Sequence, residues 1–188
     1  MKSIRASALG AVVTMLALSS VLAACGSSSK AGPSGKVTPA TLEVAGPNPS
    51  VSAQMICGEA KEDIAKSAIG IDTVKPLAPK WSDHVYSCAY RYKGGAVMTL
   101  SVKEMSSVDE TSAYFDALGE RLGRGGKLAG IGEAAYETTD GSVVVRKDYR
   151  VLLVDVSKLP AQFGLPAAKR VDVAISVATT IMDCWIGL

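Results

Sequence analysis

The chain has 188 residues, of which 48% are hydrophobic, 20% charged and 5% aromatic. Its 20 basic and 18 acidic residues leave a formal charge of only +2. That balance gives no electrostatic case for nucleic acid or for a polybasic membrane contact. One histidine and four cysteines, without C-x2-C or H-x3-H spacing, give no preorganised zinc set.

Lys2 and Arg5 open the chain, and Ala6 to Val21 is apolar but for Ser and Thr. The run is short of the about 20 apolar residues that span a bilayer. Leu22-Ala23-Ala24-Cys25 follows. A charged start, an apolar stretch and small residues before the cut make a secretory signal. A cysteine just after the cut makes it a lipobox, with Cys25 as the acylated residue. The expected mature chain begins at Cys25, sits on the outer face of the cytoplasmic membrane and is held by its acyl chains, each buried CH2 contributing about 0.8 kcal/mol. Lys2 and Arg5 leave with residues 1–24 and no acid does, so the mature chain is formally neutral.

Residues 26–50 are rich in Gly, Ser, Pro, Thr and Ala. Such a stretch buries too little apolar surface to offset its ordering entropy, which predicts a flexible linker with a reach of about 25–30 Å. Residues 51–188 then form one domain. It holds Cys57, Cys88 and Cys184. Outside the cytoplasm cysteines tend to pair, and three leave one pair and one leftover thiol. Cys57–Cys88 is the favoured pair, with Cys57–Cys184 and Cys88–Cys184 open.

Within the domain, Val51 to Ala68 has helical spacing of apolar residues and Gly70 as a stop. Residues 71–83, with Pro76 and Pro79, read as a loop. His84 to Tyr92 alternates as a strand, with His84, Tyr86, Cys88, Tyr90 and Tyr92 on one face. Lys93-Gly94-Gly95 turns the chain into a second strand, Ala96 to Lys103. Ser107 to Glu110 is a capping box for a helix that ends at Gly123. Arg124 to Gly132 reads as a glycine-rich loop. Strands follow at Ala135–Thr139, Ser142–Lys147 and Arg150–Val156. The consecutive apolar residues Val151 to Val154 mark the last as central and covered on both faces. Leu159 to Pro166 is a loop, and a final helix runs from about Ala167 to Trp185. The expected fold is α+β: an antiparallel sheet of about five strands with packed helices, in the order α-ββ-α-βββ-α.

No motif names a reaction. Gly130-Ile131-Gly132-Glu133-Ala134-Ala135 matches G-x-G-x-x-A, but a helix precedes it and a strand follows, the reverse of a dinucleotide site. His84 has no neighbouring partners that would make a triad or a zinc site. The carboxylates of Glu62-Asp63 and Asp109-Glu110 sit on polar helix faces. No catalytic residue, metal or cofactor is assigned. The tyrosine stripe is the one suggestive feature, since tyrosines offer rigid amphipathic contact area. Tyr90, Tyr92 and His84 are the candidate ligand contacts, the last two because they stand at the strand ends.

Met55-Ile56-Cys57, Val85 to Tyr90, Leu128 to Ala135, Asp140 to Lys147 and Cys184-Trp185 together resemble a group of uncharacterised secreted lipoproteins of actinobacteria. The layout is more distantly similar to extracytoplasmic kinase-sensor domains and to PsbP-like lipoproteins. The resemblance implies an α+β envelope domain for binding or sensing. The expected function is a membrane-anchored, non-enzymatic lipoprotein that takes a small or lipidic ligand or an envelope protein. The alternatives are an envelope hydrolase using clustered carboxylates and a structural accessory of a membrane complex.

Overall fold

The computed structural model describes residues 44–75 and 77–185. The signal peptide, Cys25 and residues 26–43 of the linker lie outside the described residues.

The chain is α+β, as expected, but its main sheet has seven antiparallel strands rather than five. They are β1 (Lys80–Ser82), β2 (Val85–Arg91), β3 (Val97–Glu104), β4 (Arg124–Leu128), β5 (Ala134–Thr138), β6 (Val143–Lys147) and β7 (Arg150–Lys158). Their order across the sheet is β1-β2-β3-β7-β6-β5-β4. The two additional strands, β1 and β4, fall in segments with no strand pattern. They form because the outer edges of β2 and β5 offer unpaired backbone groups, and an edge strand needs no apolar alternation. A separate small ribbon, β8 (Gln162–Phe163) with β9 (Ala168–Lys169), replaces part of the expected loop and the start of the last helix.

The first helix is broken where one was expected. It splits into α1 (Val51–Met55), α2 (Ala60–Asp63) and a π-helical turn at Ile64–Ile69. At the break, the Gly58 N–H donates to both Gln54 O and Met55 O, which closes a turn instead of extending the helix. Cys57 lies in this turn and is bonded to Cys88 of β2, with Cα atoms 6.0 Å apart. Gly70 ends the segment in the left-handed region, φ 72°, as its sequence position suggests.

α3 (Val108–Leu122) starts and stops as the sequence implies. The Glu110 N–H donates to Ser107 Oγ at 3.2 Å, and the Ser106 N–H donates to Glu110 Oε2 at 2.9 Å. The carboxylate therefore reaches one residue further back than in the usual capping box. α4 (Arg170–Trp185) closes the described chain.

Alternate residues along the central strands point to opposite faces, and each face has its own core. Val143, Val145, Leu152 and Val154 pack with α1, α2 and α4. Val144 and Val151 pack under Phe115 and Leu118 of α3. β7 is the middle strand and is covered on both faces, as its apolar run predicts. α3 stands over β6 and β7, whereas the same face of β1, β2 and β3 carries the half-exposed residues Ser87, Ala89, Thr99 and Ser101.

The expected linker boundary at residue 50 moves. The Ala45 N–H donates to Met105 O at 3.0 Å, and the Trp81 indole N–H donates to Pro47 O at 3.0 Å. The Ser50 N–H donates to the buried Glu104 carboxylate at 3.2 Å, and the Ser50 hydroxyl bonds to the same group. Glu104 in turn lies 3.8 Å from Arg150 Nε, with both side chains under 10% exposed. Residues 44–50 thus belong to the folded unit. Composition missed this because the contacts run from backbone groups and one serine to residues 34 or more positions away.

Candidate functional site

The tyrosine stripe forms core rather than a groove. Tyr90 is buried, and its hydroxyl donates to Ile56 O at 2.5 Å. Burial, helped by Tyr92, pushes its ionisation well above the ordinary phenol value. Tyr92 is also buried, edge-on to Phe163 at 4.9 Å between ring centroids. Burial raises its pKa strongly too. Both rings were candidate ligand contacts, and both instead fill the space between β2 and the segments that cover it. Tyr86, Cys88, Tyr90 and Tyr92 all pack on the covered side of the sheet, whereas His84 falls in the turn before β2 rather than on the strand face.

His84 is exposed and sits with Asp83 in the two-residue turn between β1 and β2. Both have positive φ, 51° and 56°, the geometry of a type I′ turn. Its ring meets Trp81 edge-on at 5.8 Å. His84 therefore helps the hairpin to turn and has no nucleophile bonded to it. The Cys57–Cys88 pair is present as favoured. Cys184 is buried and is not a free thiol, since no described cysteine is free. The expectation of a leftover thiol does not hold there.

The G-x-G-x-x-A segment runs from a bend directly into β5. Gly132 has φ 57°, and a Cβ there would lie 2.5 Å from Val145 Cγ1 and 2.7 Å from Arg146 O. The glycine lets the loop lie against β6. Among the described residues no group of three or more His, Cys, Asp or Glu could hold a metal ion.

The uncovered half of the sheet is where side chains converge on open space. Lys80 on β1 pairs in register with Ser87 on β2, and Ala89 pairs with Thr99 on β3. Period-two alternation puts Ser87, Ala89 and Arg91 on the face away from the tyrosines. Residues 71–75 and 77–79 run beside them, held by the Val74 N–H donating to Arg91 O at 2.8 Å. Together they enclose a trough of about 370 Å³. Lys75, Lys80 and Arg91 stand on its rim, with Ser87, Ala89 and Thr99 as its floor.

The ion pairs among the described residues are Lys66–Glu62, Arg124–Asp116, Arg146–Glu133 and Arg150–Glu104. None uses a trough cation, and no carboxylate among the described residues lines the trough. Asp155, opposite Thr99 on β7, is the nearest acid on that face by register. Its carboxylate accepts from the Ser157 N–H and hydroxyl at 2.9 and 2.6 Å. The trough therefore offers three cationic groups and two hydroxyls around a small-residue floor.

Comparison with known proteins finds no protein family, no curated protein and no solved structure that matches this chain.

Sequence reasoning missed Lys75, Lys80 and Arg91. They stand in a loop and two strands, with no common spacing. The one signal was Ser87-x-Ala89-x-Arg91, the small and polar alternate of the tyrosine stripe.

Proposed function

We propose that this chain is a membrane-anchored extracytoplasmic lipoprotein that binds an anionic ligand in the trough over β1, β2 and β3, without catalysis. The lipobox ending at Cys25 supports the anchor and the compartment. The actinobacterial lipoprotein resemblance supports a binding or sensing role. The observation that carries the ligand class is the convergence of Lys75, Lys80 and Arg91 on one recess that no carboxylate among the described residues lines. In a mature chain of formally zero net charge, such a cluster is a local field rather than a general basicity. Ser87 and Thr99 add neutral donors for anion oxygens, and Ala89 leaves room for the ligand's body.

The test is an amide NMR titration of the lipidated protein in nanodiscs of zwitterionic lipid. The probes are inorganic phosphate, pyrophosphate and succinate, each at 50 and 200 mM salt. Binding should shift residues 74–80, 85–91 and 97–101 and weaken with salt. The triple variant Lys75→Gln, Lys80→Gln, Arg91→Gln should abolish the shifts without changing the fold. Shifts that are absent, or that survive the triple variant, refute the reading. Mass analysis of the N-terminal peptide from the native membrane tests the anchor: an acylated Cys25 is expected, and an unmodified one overturns it.

A further inference from the structure

The sheet is layered unevenly. Over β6 and β7 it has a helix on each face. Over β1, β2 and β3 no helix among the described residues covers the face that carries α3 elsewhere, and Ser87, Ala89, Thr99 and Ser101 on it are half-exposed. The result is a step, with α3 standing one helix layer above a bare floor.

The dimensions of that floor are those of a helix. β2 and β3 have seven and eight residues, which at about 3.3 Å each gives a floor roughly 23–27 Å long. Where the three residues of β1 flank β2 at Val85–Ser87, three strands at about 4.8 Å spacing make it about 10–14 Å wide. An α-helix is about 10–12 Å across, and 15–18 residues at 1.5 Å each cover about the same length. Ser87, Ala89, Thr99 and Ser101 on the floor let a helix come close. Lys75, Lys80 and Arg91 line the trough and form no ion pair among the described residues, and Lys103 stands on the same face of β3. A flat bilayer is held off this floor by α3, which stands about one helix diameter proud.

Resting on the anion-binding reading above, we propose that the occupant of the trough is an acidic α-helix of a partner protein, laid beside α3 so that it completes the missing layer. Its carboxylates face Lys75, Lys80 and Arg91, and its small or apolar face meets Ala89, Thr99 and Ser101. The partner is recognised by a row of Glu or Asp at i, i+4 spacing on one helix face.

The probe is a side-chain-stapled 16-residue helix with glutamates at i, i+4, i+7 and i+11 and alanines on the opposite face. Its controls are the same composition with two central prolines, inorganic phosphate, and vesicles of phosphatidylglycerol. The expected result is that the stapled helix binds at least tenfold more tightly than the proline-broken peptide and protects the β2 and β3 amides. Ser101→Trp, which obstructs the floor but does not line the trough, should weaken the helix at least tenfold and leave phosphate unchanged. Circular dichroism and the thermal midpoint check that the variant folds. Lys80→Glu gives a second route, because it should reduce helix binding whatever Ser101→Trp does.

Equal affinity for helix and broken peptide overturns the helical partner. Phosphate binding without helix binding overturns it too and leaves the anion reading standing. Binding of the vesicles alone assigns the face to lipid and refutes the proposal. No binding of any probe refutes both readings.

Discussion

Residues 44–50 should contribute stability that a chain beginning at Val51 lacks. Two chains compare directly, 44–188 and 51–188, both acetylated so that no new ammonium enters near α1. The shorter chain loses the Ser50 side-chain cap on Ala53 N, at 3.1 Å, which contributes about 1 kcal/mol. It loses the Ser50 bonds to the buried Glu104 carboxylate, and hydrogen bonds to a charged group contribute about 1.5–3 kcal/mol. The Ala45–Met105 and Pro47–Trp81 bonds add about 1 kcal/mol each before exposure is discounted. Allowing for non-additivity, the loss is about 3–5 kcal/mol. Urea unfolding followed by tryptophan fluorescence measures it, because Trp81 bonds to Pro47 in this segment and Trp185 to Ser52 in α1 beside it. At a slope near 2 kcal/mol/M the midpoint should fall by about 2 M. Ser50→Ala in the longer chain should reproduce about half of that drop, again on a scale of 1–3 kcal/mol. A midpoint within about 0.5 M of the longer chain would show that residues 44–50 merely lie on the surface, and the reasoning would be wrong.

Leu152→Ala, on the fully buried central strand, should destabilise the domain by about 3–5 kcal/mol in the same assay, and a loss below 1 kcal/mol would contradict its packing. Replacing both Cys57 and Cys88 by Ser opens a bridge spanning 31 residues and should lower stability by about 3–4 kcal/mol, read as a lower urea midpoint. At alkaline pH, Tyr136 matters: burial pushes its pKa up to about 12 from 10.0, and its hydroxyl donates to Phe115 O. Because the folded value is raised, that stability is complete below pH 10 and is lost as pH climbs through about 12. Tyr136→Phe should flatten this alkaline loss, and an unchanged profile would refute it. In acid the sign reverses for Asp140. Burial works against its charge, but the Thr138 hydroxyl, the Ser142 N–H and Arg170 hold its pKa below the usual carboxylate value. Its stabilisation is present above the unfolded pKa and is lost as pH falls through the folded one, so Asp140→Asn should show a shallower acid decline.

What the sequence determined by itself was local. The five strands β2, β3, β5, β6 and β7 were legible from alternation and from turn residues such as Lys93-Gly94-Gly95 and Asp140-Gly141. The ends of α3 were legible from Ser107, Glu110 and Gly123, and the centrality of β7 from Val151 to Val154. Each of these rests on neighbours in the chain, where backbone preference and side-chain period act.

The tertiary structure decided the rest. Lys-Trp-Ser and Arg-Gly-Gly-Lys-Leu carry no strand pattern and became β1 and β4 because a neighbouring edge had unpaired backbone groups to satisfy. The tyrosine face of β2 and its Ser-Ala-Arg face look equally open in sequence. Helices packed on the first and left the second bare, so Tyr90 and Tyr92 became core while Lys75, Lys80 and Arg91 came together around a recess. Which face of a strand is covered depends on apolar contacts between residues far apart in the chain. Cations scattered over a loop and two strands share one field only after the β1–β2 register has brought them to the same rim.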